Sequence, residues 1–446
     1  MSYLKLFLWP FCVAVIFAVA YGLMAKDQVE ATTEQAITYY DDEARLSQAG
    51  SNQPDADTAI AFWQKRVADS PRAYIEYTLL GEAFARKARE TGDAGYYQRA
   101  EAALHRALEI NPNYGQSSAL LAGVLFSMHN FEEALKLATA VADQPKALSA
   151  LATVGDVQLA LGRYEAAEAT YQKLFSRSPS PAVYSRLAAV ARLHGETEQA
   201  LALMQQALNS ARQAGESGES LAWYSYQLGD FYFNVNQLDQ AEKYFAAART
   251  EFNNYYLALA ALAKVRAAQG SYAQAIELYQ KAVAIIPQPE FLAALGDVYT
   301  VTGQLDQAQR QYDTVEYIGQ LAKLNQQIYN RQLANFYADH NLHLDVALKL
   351  ATTELKTRQD IYGLDTAAWA YYKNGRFEEA QRLIEQALQL GTRDAKLFYH
   401  AGMIALALNR PLEAERFLAD ALAINPHFDL LQAPLARQAL EQLQAK

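Results

Sequence analysis

From residue 59 onward the apolar positions recur at helical spacing, and short polar breaks separate one run from the next. Aligning the runs on the alanine of "FEEA" finds Ala100, Ala134, Ala167, Ala200, Ala241, Ala275, Ala308, Ala347, Ala380 and Ala414. The successive spacings are 34, 33, 33, 41, 34, 33, 39, 33 and 34 residues, so the chain is read first as a repeat. Twelve positions before each alanine from the second onward stands a small residue: Ala122, Gly155, Ala188, Gly229, Ala263, Gly296, Asn335, Ala368 and Gly402. A glycine five positions before the alanine (Gly162, Gly195, Gly270, Gly303, Gly375) marks a tight turn, and a proline twelve positions after it (Pro112, Pro179, Pro287, Pro426) ends a helix. Each unit is therefore two helices joined by a turn and closed by a break.

Such a hairpin cannot bury its own apolar stripe. Small residues at the closest crossings let its two helices approach, and larger ones interlock with the next hairpin, so stability comes only from stacking. Phe131, Tyr164, Leu238, Tyr272, Leu305 and Phe377 place a bulky plug at the turn. Residues 86 to 97 lengthen the first hairpin, "NSARQAGESGES" at 209 to 220 accounts for the longest spacing, and a further insertion falls around 316 to 330.

Outside the repeat, residues 6 to 25 form a charge-free apolar run of twenty residues after Lys5. Residues 1–25 are expected to be a signal peptide or a transmembrane anchor, with the body outside the cytoplasm. Residues 26–58 read as a polar spacer. Residues 59–427 form the repeat array, and 428–446 read as a C-terminal capping helix with a polar outer face.

Lys and Arg total 39 against 49 Asp and Glu, so the chain carries −10 and as a whole repels phosphate backbones. Nucleic acid is not an expected partner. The one cysteine, Cys12, lies in the apolar run, which excludes disulfides, thiol nucleophiles and cysteine metal sites from the body. No catalytic or nucleotide-binding motif occurs, and no cofactor is expected. Glu132-Glu133 and Glu378-Glu379 recur at the start of second helices, where carboxylates complement the positive helix end. His340 and His343 in "ADHNLHLD" could hold a metal only with a third ligand such as His400. They fall at a repeat turn, where polar residues are expected anyway, so no metal is assigned.

"LLGEAF" at 79 to 84, "QLGDFYF" at 227 to 233, "ALGDVYT" at 294 to 300 and "AEKYFAAA" at 241 to 248 resemble the tetratricopeptide repeat family. The resemblance implies an all-α fold: a right-handed superhelical solenoid of about ten hairpins. It also implies that the first helix of each unit lines a concave face, at positions 2, 5, 9, 12 and 13 of the repeat. Here those positions include Trp223, Tyr226 and Phe233 in the fifth unit, Tyr329 and Phe336 in the eighth, Tyr362, Trp369 and Tyr372 in the ninth, and Tyr399 in the tenth. Flat amphipathic rings suit contact with a peptide or a sugar. Position 9 carries Glu82, Asp156, Asp230 and Asp297, so the family's clamp for acidic chaperone tails is not expected. The reading is a non-enzymatic, extracytoplasmic scaffold that binds a protein or peptide on its concave face. The alternative is an envelope accessory protein for carbohydrate or divalent metal.

Overall fold

The computed structural model describes residues 55–144, 147–324 and 330–445. Among them are twenty-two α-helices and no strand. Helix α1 (Ala56–Asp69) opens the described chain, capped by Asp55, whose carboxylate accepts from the Thr58 amide at 2.9 Å. The helical body thus begins inside the stretch read as spacer. The expected leader or anchor, at 1–25, lies outside the described residues.

Ten hairpins follow, as the spacing predicts. The first five are α2–α3 (Tyr74–Thr91, Gly95–Ile110), α4–α5 (Gly115–Ser127, Phe131–Val141), α6–α7 (Leu148–Ala160, Tyr164–Arg177), α8–α9 (Pro181–Leu193, Thr197–Gln213) and α10–α11 (Gly218–Asn234, Leu238–Glu251). The second five are α12–α13 (Tyr256–Ala268, Tyr272–Ile285), α14–α15 (Pro289–Val301, Leu305–Leu324), α16–α17 (Asn330–Asp339, Leu344–Glu354), α18–α19 (Ile361–Lys373, Phe377–Ala387) and α20–α21 (Ala395–Ala407, Pro411–Ile424). Helix α22 (Gln432–Gln444) closes the chain. The insertions become extra helical turns: α9 and α10 have 17 residues each and α15 has 20.

Every register alanine is at most 3% exposed. The small residue of the first helix has a specific partner, the bulky residue four positions after that alanine. A Cβ added at Gly81, Gly155, Gly229, Gly296 or Gly402 would stand 2.3 to 2.8 Å from a side-chain atom of Leu104, Tyr171, Phe245, Tyr312 or Leu418 respectively. Glycine is therefore required there by close approach, not by backbone conformation.

Successive hairpins rotate enough for the chain to come round onto itself after about six units. The Gln359 amide donates to the Ala160 carbonyl at 3.0 Å, and the Ile361 amide donates to the Tyr164 hydroxyl at 2.7 Å. The Thr392 hydroxyl donates to the Leu193 carbonyl, and the Asn425 side-chain amide donates to the Phe233 carbonyl at 2.9 Å. These pairs are 192 to 199 residues apart in the chain. In each, the turn inside a hairpin of the first superhelical turn meets the loop between hairpins of the second. Helix-end groups that a lone hairpin would leave to solvent thereby find protein partners.

The turn glycines separate accordingly. Gly195 (φ 72°) has the Gly391 carbonyl oxygen 2.3 Å from where a Cβ would stand, whereas Gly303 (φ 75°) has nothing within 4 Å. Both replacements by alanine carry the left-handed backbone cost of about 1–2 kcal/mol. Gly195→Ala should cost roughly 1–3 kcal/mol more than Gly303→Ala because it also overpacks the seam. Urea unfolding of the two variants measures this; equal destabilisation would contradict the seam.

Candidate functional site

The concave positions are largely consumed by the fold. Trp223, Phe233, Phe336, Trp369 and Tyr399 are 5%, 1%, 4%, 2% and 2% exposed, so the expectation that these five rings face a partner is corrected. Trp369 lies between Tyr372 (centroids 4.8 Å, 10° between planes) and His400 (4.1 Å, 13°), and its indole N–H donates to Asp339 at 2.7 Å. Phe336 packs on His340 and Tyr312, Tyr399 on Phe428, and Trp223 edge-on to Tyr224. The physical reason is the tight stacking of first helices, completed by the C-terminal segment. Tyr226, Tyr362 and Tyr372 are half-buried. The Tyr362 hydroxyl accepts from the Arg192 guanidinium at 3.1 Å across the seam, which leaves Tyr226 as a ring at an open surface. Tyr329 lies outside the described residues.

The charged concave positions are also engaged. Asp156 and Arg186, each 2% exposed, form a two-pronged pair at 2.8 and 2.7 Å that also receives the Tyr171 hydroxyl. Asp339 accepts from Trp369, from the Lys396 ammonium at 2.8 Å and from the Gln432 amide at 2.5 Å, and Lys396 also lies 3.8 Å from Asp429. Burial works against the charged form of Lys396, but Asp339 and Asp429 hold it above the ordinary lysine value. The C-terminal segment is thus bound inside the superhelix as well as capping its last hairpin.

The three histidines weighed as a metal set engage different carboxylates: His340 with Asp297 at 2.7 Å, His343 with Glu316 at 3.1 Å and His400 with Asp365 at 2.8 Å. Among the described residues no group of three or more His, Cys, Asp or Glu side chains converges on a metal position.

A large cavity, of about 760 Å³, lies open between α10, α12 and α14 on one side and residues 426–437 on the other. That volume falls within the roughly 300–1,000 Å³ of ligand clefts. Tyr226, Tyr279 and Phe291 supply aromatic wall. Asp230, Glu290, Asp297 and Asp429 face Lys264, Lys396 and Arg437 across it. Asp230 is held by Arg192 and Asn234, Asp297 by Tyr312 and His340, and Arg437 by the Pro426 carbonyl. Lys264 differs. Its ammonium stands 4.2 Å from the centre of the Phe233 ring, and among the described residues no oxygen accepts from it. Enclosure pulls its pKa below the ordinary lysine value, against the attraction of Asp230 and Asp429.

Sequence reasoning had reached Tyr226 and Phe233 but passed over Lys264, since the sixth unit is otherwise small and aliphatic at its concave positions. The available signal was a lysine at position 9 where other units carry carboxylates.

The family description "Tetratricopeptide repeat" matches residues 93–153, 153–218, 226–288 and 366–427, more than half of the chain. The chain is a member of the tetratricopeptide repeat family. Tetratricopeptide arrays are protein-interaction scaffolds, and that coarse role applies here. Among solved structures, the human IFIT1 dimer with PPP-AAAA is 17% identical, with a TM-score of 0.50 over 82% of this chain and 85% of that one. Yeast Tom70 is 14% identical over 92% and 97%, with a TM-score of 0.36. A thermophilic tetratricopeptide protein of Thermus thermophilus is 22% identical over 40% and 91%, with a TM-score of 0.35. These likenesses concern the fold alone. No curated protein matches the chain significantly.

Glu82, at position 9 of the first unit, provides a test of enclosure on this face. Burial, outweighing the attraction of Arg89 and Arg86, raises its pKa from 4.5 to about 7. The folded state then binds the proton more tightly than the unfolded one, so this group's contribution to stability falls as pH rises from 4.5 to about 7. Glu82→Gln should flatten that slope and be the more stable protein at pH 8, read from urea midpoints. Parallel wild-type and variant pH profiles would refute it.

Proposed function

We propose that this tetratricopeptide protein is a non-enzymatic scaffold working outside the cytoplasm, and that it holds an extended segment of a protein partner in the cavity beside Lys264. The observation that carries the reading is that cavity: aromatic walls, carboxylates and one ammonium without an acceptor among the described residues. A backbone carbonyl or side-chain carboxylate of a bound segment would supply the missing acceptor, with Tyr226, Tyr279 and Phe291 contacting its apolar parts. The human IFIT1 structure carries PPP-AAAA, but a polyanion suits this cavity poorly, because four carboxylates face three cations.

The location rests on the charge-free run at residues 6 to 25 and the absence of cysteine after Cys12. Among the described residues no helix is long and apolar enough to cross a membrane.

Peptides selected from a displayed random library on the full chain should bind the Lys264→Met, Tyr226→Ala variant about tenfold or more weakly, the worth of one charge-assisted hydrogen bond. Thermal unfolding of Lys264→Met alone should be nearly unchanged, whereas Tyr226→Ala lowers it by removing a ring that packs on Phe245 and Tyr255. Equal binding by the two proteins would reject the cavity. For location, a reporter that folds only outside the cytoplasm, fused after residue 60, should be active. An inactive fusion would place the body inside.

A further inference from the structure

The seam between superhelical turns has two halves, and each half recurs unsatisfied at an outer edge of the molecule. Within the chain, the turn edge of the first superhelical turn meets the loop edge of the second. The loop edge of the first and the turn edge of the second therefore face outward in opposite directions.

The outward turn edge repeats the covered one position for position. Gly303 and Gly375 have the positive φ of Gly162 and Gly195, yet among the described residues nothing lies within 4 Å of an added Cβ at either. At Gly162 and Gly195 a carbonyl oxygen from the next superhelical turn stands 2.6 and 2.3 Å away. Leu305 occupies the repeat position of Phe131 and Tyr164. Phe131 is 4% exposed with the Arg358 guanidinium 6.0 Å over its ring, and Tyr164 receives the Ile361 amide, whereas Leu305 is 64% exposed. Leu412, at the tenth turn on the same edge, is 82% exposed.

The outward loop edge repeats its counterpart too. Asn425 and Asn111 hold the same repeat position, each is followed by proline, and in each the side-chain oxygen accepts the amide two residues on, from His427 at 2.9 Å and from Asn113 at 3.3 Å. The Asn425 amide nitrogen crosses the seam to the Phe233 carbonyl, and the residue is 1% exposed. Asn111 is only half-buried, and among the described residues its amide nitrogen has no acceptor. Asn113, Asp143, Pro179 and Asn254 along the same edge are exposed.

We propose that the occupant of the outward turn edge is the outward loop edge of a second copy, so that chains stack end to end by repeating in trans the seam each makes in cis. The argument is continuity with an interface the chain already makes: the same turns, the same loop residue and the same helix-end groups. The two edges are different surfaces, so the contact is heterologous. It does not close on itself, and stacks lengthen with concentration.

The test uses sedimentation velocity on the full chain over a wide concentration range. The wild type should form dimers and then longer species. Leu305→Glu with Leu412→Glu disables the turn edge, and Asn111→Glu with Asn113→Glu disables the loop edge. Leu305, Leu412 and Asn113 are exposed and Asn111 is half-buried, so melting should fall by no more than the loss of the Asn111 turn bond, and each double variant alone should remain monomeric. Mixed in equal amounts, the two variants should form dimers and nothing longer, because one intact edge of each kind remains. A monomeric wild type at every concentration, continued self-association of either variant, or a mixture that stays monomeric would each overturn the proposal.

Discussion

The structure depends on how the ends of its helices are satisfied. A helical hairpin leaves first-helix carbonyls at its turn and first amides at the next entry without intrahelical partners. Here the loops one superhelical turn later supply them: Gln359 and Thr392 serve Ala160 and Leu193, while Tyr164 takes the Ile361 amide that its own helix cannot. A solenoid is otherwise held by nearest-neighbour contacts. These bonds join units about six apart and fix the pitch of the superhelix.

Stacking of first helices, together with the C-terminal segment, determines what the concave face can do. Between neighbouring units, Trp369 and His400 stack and Asp156 is held by Arg186, while the C-terminal segment enters through Asp339, Lys396 and Gln432. Most concave side chains thereby become core. The cavity beside Lys264 survives where the sixth and seventh units present small residues, Ala260, Ala261, Ala267 and Ala294, and residues 426–437 span the gap without filling it.

The hairpins were legible because each signal is local: an alanine, a glycine twelve positions earlier and a turn five positions earlier all report contacts within one unit. The bulky partners of Gly155 and Gly296, Tyr171 and Tyr312, follow the same periodicity. The pitch was not legible, because it accumulates small rotations over six units and passes through the long α9, α10 and α15. The aromatic residues were misplaced for that reason. Repeat position tells which way Trp223 or Tyr399 points, but curvature and the C-terminal segment decide whether solvent reaches it. Lys264 was hidden among alanines whose smallness is what leaves its cavity open.

The most direct test of the seam is amide hydrogen exchange at Gln359 and Ile361, set against the exposed loop residue Asn254. Gln359 precedes its helix and Ile361 is a first helical residue, so neither amide has an intrahelical acceptor. Closure across the superhelical turn predicts that both exchange as slowly as core helix amides, while Asn254 exchanges fast. Exchange of Gln359 and Ile361 at the rate of Asn254 would contradict it.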